Sequence, residues 1–262
     1  DLRNSSKIIV MKKINIRGLV IILIAGSITL LSFVFISANK IHPTAKAKGF
    51  AVVELFTSEG CSSCPAADAA IAKLLRKNIG NTYILSFHVD YWNRLGWKDE
   101  FSQQAYSARQ QQYARYLSLE GVYTPQVVVN GTVQFVGSNE SSLNNAVSNG
   151  LNNGTASNVN ITAVRQNNSL VINYNLMGNE ALVLNTAIVL PEATTQVKRG
   201  ENGGRTLQHV NIVRDLKVIE AKGSGELTMN VPKELMNKPF KVIAYTQSKQ
   251  TFKVVGADEV DL

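Results

Sequence analysis

Apolar positions along this chain follow two rhythms, and the change comes near Gly154. Before it, short β-rich runs alternate with segments of helical spacing. Phe50-Ala51-Val52-Val53-Glu54-Leu55-Phe56 and Tyr83-Ile84-Leu85-Ser86-Phe87-His88-Val89 read as buried strands. Between them, PAADAAIAKLLRKNIG predicts a helix with Pro65 in its first turn, Arg76 and Lys77 at its end and Gly80 as its stop. Ala67, Ala70, Ile71, Leu74 and Leu75 give that helix an apolar face at spacings of three and four. A polar helix is expected over about residues 99–119, ended by Gly121. TPQVVVNGTVQFVG predicts two strands turning at Asn130-Gly131, and residues 138–152 a closing helix.

Beyond Gly154 the period becomes two. NVNITAVRQNNSLVINYNL, ALVLNTAIVL, HVNIVRDLKVIE, GELTMNV, FKVIAYTQ and TFKVVGA are short strand candidates separated by Gly, Pro and Asn turns. That pattern predicts an antiparallel sandwich. The expected organisation is therefore an α/β domain over 49–154 and an all-β domain over 155–262.

Residues 1–48 follow neither rhythm. From Gly18 to Ala38 there are 21 residues without a charge, preceded by Lys12, Lys13 and Arg17. A basic stretch before an apolar run marks an export signal. Met11 is the expected true start, with DLRNSSKIIV as leader read ahead of it. Cleavage after Ala38 and retention as a signal-anchor are both open, since 21 apolar residues suffice to span a bilayer. Either route makes residues 49–262 extracytoplasmic, in the periplasm or cell envelope, where disulfides persist.

Charge changes the picture once it is located. The chain carries a formal +8, but residues 1–48 hold eight basic groups against Asp1, which leaves +1 for residues 49–262. A nearly neutral body argues against a broad phosphate-binding face, so no nucleic-acid partner is expected. Two cysteines in the whole chain exclude a disulfide-scaffolded fold.

Both cysteines sit in Gly60-Cys61-Ser62-Ser63-Cys64-Pro65, where a strand leads into a helix. Unpaired amides and the dipole at a helix start stabilise a thiolate. Cys61 is the expected attacking sulfur and Cys64 the resolving one. Structural zinc, which also uses CxxC, needs two further ligands; no other cysteine exists, and His42, His88 and His209 are far apart in sequence. A second signal is Thr124-Pro125. A proline opening an apolar strand belongs at an edge or in a cis turn, and the resemblance to thioredoxin-type folds implies a cis-proline beside the CxxC whose preceding residue, here Thr124, pairs with the substrate backbone. The order strand, CxxC helix, strand, helix, Thr-Pro strand, Asn-Gly hairpin, helix matches a thioredoxin-like fold.

VELFTSEGCSSCPAAD, HVDYWNRLGWKDEF, GVYTPQVVVNG and RGENGGRTLQHVNIVRDL resemble successive blocks of a bacterial family of exported thioredoxin-like proteins, a secreted domain of unknown function. The resemblance covers about residues 50–262 and implies a thioredoxin-like domain with a β-rich carboxy-terminal extension. Asn93 departs from it, standing where the family pattern has Asp.

Other residues carry paired readings. Glu54 is either an acid serving the resolving thiol or a strand glutamate, because a one-residue slip along a strand reverses its face. Glu59 would raise the pKa of Cys61 if it approached, and is otherwise solvated. His88 is a strand-end histidine or, with Cys61 and Cys64, a third copper ligand, since soft thiolates and an imidazole suit copper. Tyr91, Trp92, Leu95, Trp97 and Phe101 form either a local core or a hydrophobic lip around the cysteines. Arg199, Glu201, Arg205 and His209 surround a Gly-rich loop that is a flexible sandwich turn or, as the family pattern implies, docks against the redox domain. It lacks the ending of a phosphate-binding loop.

The main expectation is an envelope thiol–disulfide oxidoreductase without a cofactor, acting on protein thiols or disulfides, with membrane anchoring through 18–38 as an option. Its site residues would be Cys61, Cys64, Thr124, Pro125 and Glu54. The alternatives are a copper metallochaperone using Cys61, Cys64 and His88, and a non-catalytic envelope interaction protein in which the disulfide is only a clip.

Overall fold

A computed structural model describes residues 49–178 and 180–262. The export segment, the linker after it and His42 lie outside the described residues. Among the described residues, no helix is long and apolar enough to cross a membrane.

Strand β1 (Ala51–Thr57) leads through the cysteine turn into helix α1 (Cys64–Arg76), and β2 (Thr82–His88) returns parallel to β1. Helix α2 (Gln104–Tyr116) follows, then the hairpin β3 (Gln126–Val129) and β4 (Val133–Val136), then α3 (Glu140–Asn153). The expected hairpin turn is present, with positive φ at both Asn130 (49°) and Gly131 (72°). The second helix is shorter than its polar pattern predicts, because Asp99 to Gln103 are drawn into loop contacts described below.

Strands β5 (Val159–Gln166), β6 (Ser169–Leu176), β7 (Leu182–Gln196), β8 (Thr206–Ala221), β9 (Ser224–Asn230), β10 (Lys241–Gln247) and β11 (Val254–Asp261) complete the chain. They do not build a separate sandwich. Strand order in the main sheet is β11-β10-β7-β8-β2-β1-β3-β4; only β5, β6 and β9 form a second, three-stranded sheet.

The expected pairing of a free-standing thioredoxin-like α/β domain with an antiparallel sandwich is therefore corrected. One mixed eight-stranded sheet crosses the boundary expected near Gly154, and the described chain is dominated by strands. The seam is β2 against β8, which pair in parallel at Ser86 and Ile212. Ser86 Oγ donates to Val210 O (2.8 Å) and Asn211 Nδ2 donates to Ile84 O (3.1 Å) across it. Period-two alternation identifies strands but not their partners, so nothing in the pattern showed that the edge of β2 would be taken by a strand more than a hundred residues later.

Three apolar clusters follow from this sheet. Odd positions of β1 (Ala51, Val53, Leu55) pack with Ala67, Ile71 and Leu74 of α1 and Leu143 and Val147 of α3. Even positions (Val52, Phe56) pack on the opposite face with Phe87, Tyr106, Tyr113 and Tyr245. The third cluster fills the space between the small sheet and β7, β8 and β10, with Ile172, Leu184, Ile188 and Val242 among its members.

Strands β7 and β8 form the longest hairpin of the molecule, paired from Leu182–Ala221 out to Gln196–Thr206 with one bulge at Ile188/Val189. Its far end carries the Gly-rich loop and delivers it to the cysteines.

Candidate functional site

Cys61 and Cys64 are joined in a disulfide, with Cα atoms 5.4 Å apart, at the amino end of α1. Pro65 occupies the first turn, where its missing N–H costs no helix bond. The turn is held by its own backbone: Cys61 N donates to Ser58 O and Cys64 N to Cys61 O, both at 3.2 Å. Ser62 and Ser63 face solvent, whereas Cys61 is 1% exposed and Cys64 fully buried. Ser63 Oγ lies 3.3 Å from Cys61 Sγ.

The Gly-rich loop between β7 and β8 closes over this turn. Asn202, fully buried, donates from Nδ2 to Glu59 O (2.9 Å) and Cys61 O (2.8 Å). Glu201 Oε2 accepts from Ser62 N at 3.0 Å, and hydrogen bonds from Ser62 hold its carboxyl below the ordinary value. Arg205 Nη1 in turn donates to Asn202 Oδ1. Of the two readings of the loop, docking on the cysteine motif is the one the contacts give.

The Thr124–Pro125 bond is cis. Trp92 links it to the cysteine turn: its Nε1 donates to Thr124 Oγ1 (2.8 Å), and its Cβ packs so closely on Gly60 that a side chain there would sit 3.0 Å away. The aromatic insert thus divides. Phe101 is core and Trp92 is a brace; Tyr91 donates its hydroxyl to Gln110, and Leu95 stays exposed.

Glu54 is not beside Cys64. As an even position of β1 it points to the face opposite α1. There it is paired with Arg109 (Nε to Oε2 2.6 Å, Nη2 to Oε1 3.0 Å) and accepts from the hydroxyls of Tyr113 and Tyr245. The acid role expected of it is corrected to a structural one.

A different set of ionisable side chains lies around the cysteine turn. Glu59, expected in one reading to be solvated, is fully buried and accepts from Trp97 Nε1 (2.7 Å). Its other oxygen is 3.5 Å from Nε2 of buried His209 on β8, whose Nδ1 is 3.6 Å from Asp68 of α1. Burial alone would lower the pKa of His209, but the flanking Asp68 and Glu59 outweigh it and raise it to about 10. Asp99 accepts from Glu59 N (2.9 Å), Phe101 N (2.9 Å) and His88 Nδ1 (2.7 Å). Although burial pushes its pKa up, His88 and these bonds hold it below the ordinary carboxylate value. Asn93 fixes the same loop by accepting from Asp99 N and donating to Ser102 Oγ, a donation that Asp could not make.

His88 is therefore committed to Asp99, with its ring 4.7 Å from that of His209. Among the described residues, no three His, Cys, Asp or Glu side chains are arranged to hold a metal ion, so the copper set of Cys61, Cys64 and His88 is not assembled. Asp68 and the partnership of His209 escaped the sequence reading. The one available signal for Asp68 was its spacing, one helical turn after Cys64 on the buried face.

A solved structure from Agrobacterium tumefaciens is 30% identical, with a TM-score of 0.61 over 80% of this chain and 93% of that one. At that coverage the likeness cannot be confined to either half. HBP35 of Porphyromonas gingivalis shares the fold at 18% identity and a TM-score of 0.56, over 82% of this chain and 76% of that one. No curated protein matches. Residues 52–247 match the model of a family described as "Protein of unknown function (DUF1223)".

Proposed function

The chain belongs to the DUF1223 family, whose description assigns no activity, and from that premise we propose that it is an extracytoplasmic thiol–disulfide oxidoreductase working through Cys61 and Cys64. The observation that carries this reading is that the chain's only two cysteines close a disulfide at the first turn of a helix. Helix-start amides favour a thiolate at that position.

In the oxidising direction a substrate thiolate attacks Cys61 Sγ, the Cys61–Cys64 bond breaks, and its electron pair leaves on Cys64. A second substrate thiolate then attacks the substrate sulfur of the mixed disulfide and releases Cys61 as thiolate. The reducing direction runs the same two exchanges backwards. With Cys61 at 1% exposure, either direction needs the docked loop or the Ser62-Ser63 turn to open. Thr124, beside cis-Pro125 and braced to the cysteine turn through Trp92, is the group available to align a substrate backbone.

The partners on this reading are protein thiols or disulfides of the cell envelope. The basic residues Lys12, Lys13 and Arg17 ahead of the apolar run 18–38 support export, with the segment either removed or kept as an anchor.

The test is catalysis. The full-length chain should accelerate disulfide exchange in a scrambled test protein, and Cys61→Ser should abolish the acceleration. Cys64→Ser should stop at a mixed disulfide on Cys61. Absence of any acceleration by the native chain would refute the proposal and leave the disulfide as a clip.

A further inference from the structure

Reduction of Cys61–Cys64 poses a proton problem that the turn itself does not solve. Two electrons enter a sulfur pair that is almost wholly buried. Two buried carboxylates flank the motif along the chain, Glu59 two residues before Cys61 and Asp68 one helical turn after Cys64 on the same buried helix face, and buried Asp99 accepts from Glu59 N. A Cys64 thiolate in that setting is opposed by both desolvation and like charge, so it has to leave as a thiol.

The structure places a route for that proton. Asp68 Oδ1 accepts from Thr57 Oγ1 (3.2 Å). Its side chain also lines a cleft of about 290 Å³ that opens to solvent between α1 and β8, beside Pro65, Arg76, Arg205, Leu207 and Gln208. From Asp68 Oδ2 the next group is His209 Nδ1 at 3.6 Å, and from His209 Nε2 the next is Glu59 Oε1 at 3.5 Å. Both ring nitrogens of His209 and Glu59 Oε1 are buried and make no hydrogen bond. Unpartnered buried polar atoms are uncommon and call for an explanation. The remaining ionisable groups facing the unit are His88 of β2, stacked edge-on against His209, and Asp99, which holds His88.

We propose that Asp68, His209 and Glu59 form a buried proton relay for the Cys61–Cys64 pair, exchanging protons with solvent through the cleft at Asp68. The inference rests on the oxidoreductase reading. When an incoming thiolate bonds to Cys61 Sγ and the disulfide breaks, the electron pair goes to Cys64 Sγ. His209 releases its proton towards Cys64, and Asp68 passes a replacement inward from the cleft. With a dithiol as reductant, its second thiolate then displaces Cys61. The dithiol ends as a disulfide, and two electrons have passed to the protein. In the reverse direction Cys64 surrenders its proton along the same route before attacking the mixed disulfide. These residues act through Cys64 and touch no substrate.

The test uses the oxidised full-length chain with dithiothreitol as reductant, with the rate followed from about pH 5 to about pH 9. His209→Gln and Asp68→Asn should each slow reduction at neutral pH by at least about tenfold, as loss of a general acid does. The gap from the native chain should close as pH falls and solvent supplies the proton directly. Asp68→Asn keeps an acceptor for Thr57 and serves alone if His209→Gln does not fold. Equal rates in folded variants, or a gap that does not change with pH, would overturn the relay. The oxidoreductase reading fails separately, if the native chain is reduced by dithiothreitol yet catalyses no exchange in a test protein. A native chain that dithiothreitol cannot reduce overturns both.

Discussion

Glu54 and His209 are both buried and ionisable, and their surroundings give them opposite duties. Glu54 is saturated: Arg109 contacts both of its oxygens and two tyrosines donate to it, while the same guanidinium also reaches Asn185. Truncating Arg109 strands that carboxylate, so Arg109→Ala should cost roughly 3–5 kcal/mol in urea unfolding, as for other broken buried pairs. Disulfide exchange at Cys61 in the protein that still folds should be unchanged. His209, by contrast, sits at loose ion-pair distance from two acids. Its pKa is raised from an unfolded value of 6.5 to about 10. The stability this contributes is fully present below about pH 6.5 and is lost as pH climbs through about 10. The stability difference between the native chain and His209→Gln should accordingly be largest at or below pH 6.5 and shrink toward pH 10, measured by denaturant unfolding. A difference constant across that range would contradict the charged assignment. The paired cysteines at a helix start and the proline turn at Thr124-Pro125 were legible because local spacing encodes them. The face of Glu54 was left open by the sequence, and the triad at Asp68 was hidden because its members come from a loop, a helix and a strand that only the fold brings together.

At the scale of elements, the Asn130-Gly131 turn was predicted from its dipeptide, but its work lies elsewhere in the chain. The Asn130 side chain accepts from Val52 N and donates to Phe50 O, and its backbone carbonyl accepts from Val254 N. Gly131 packs so tightly on the β10–β11 connection that a Cβ would fall 2.1 Å from Phe252 O, at a φ of 72°. Gly131→Ala should therefore destabilise by about 2 kcal/mol or more, combining left-handed strain with a backbone collision that no side-chain rotamer can relieve. A neutral result in thermal unfolding would show that this connection yields freely. Helix α2 gives a complementary lesson. Residues 99–103 have helical composition, yet Asp99 gains more by capping the loop under Glu59 and His88 than by extending the helix. Polar patterning finds the helix and misses its start, because the competing partners are distant in sequence.

At the scale of the whole molecule the described residues from 49 onward form one compact unit, and the β2–β8 seam explains why a boundary near Gly154 has no free-standing counterpart. A fragment ending at Gly154 loses the partner of β2, His209, and the Asn202 clamp on Cys61. It should show no cooperative unfolding transition, whereas the full chain should unfold in one step by near- and far-ultraviolet dichroism together. Two separate transitions in the full chain would restore independent domains. The long β7–β8 hairpin thus couples the cysteine turn to the carboxy-terminal half, so the setting of the disulfide is built by the entire sheet. Whether that pair cycles or merely clips is decided by its reduction potential, measured by equilibrating the full-length chain in glutathione buffers of graded poise. The account predicts a potential above about −270 mV, within the range of exchange catalysts, and a value below about −300 mV, typical of structural disulfides, would contradict it.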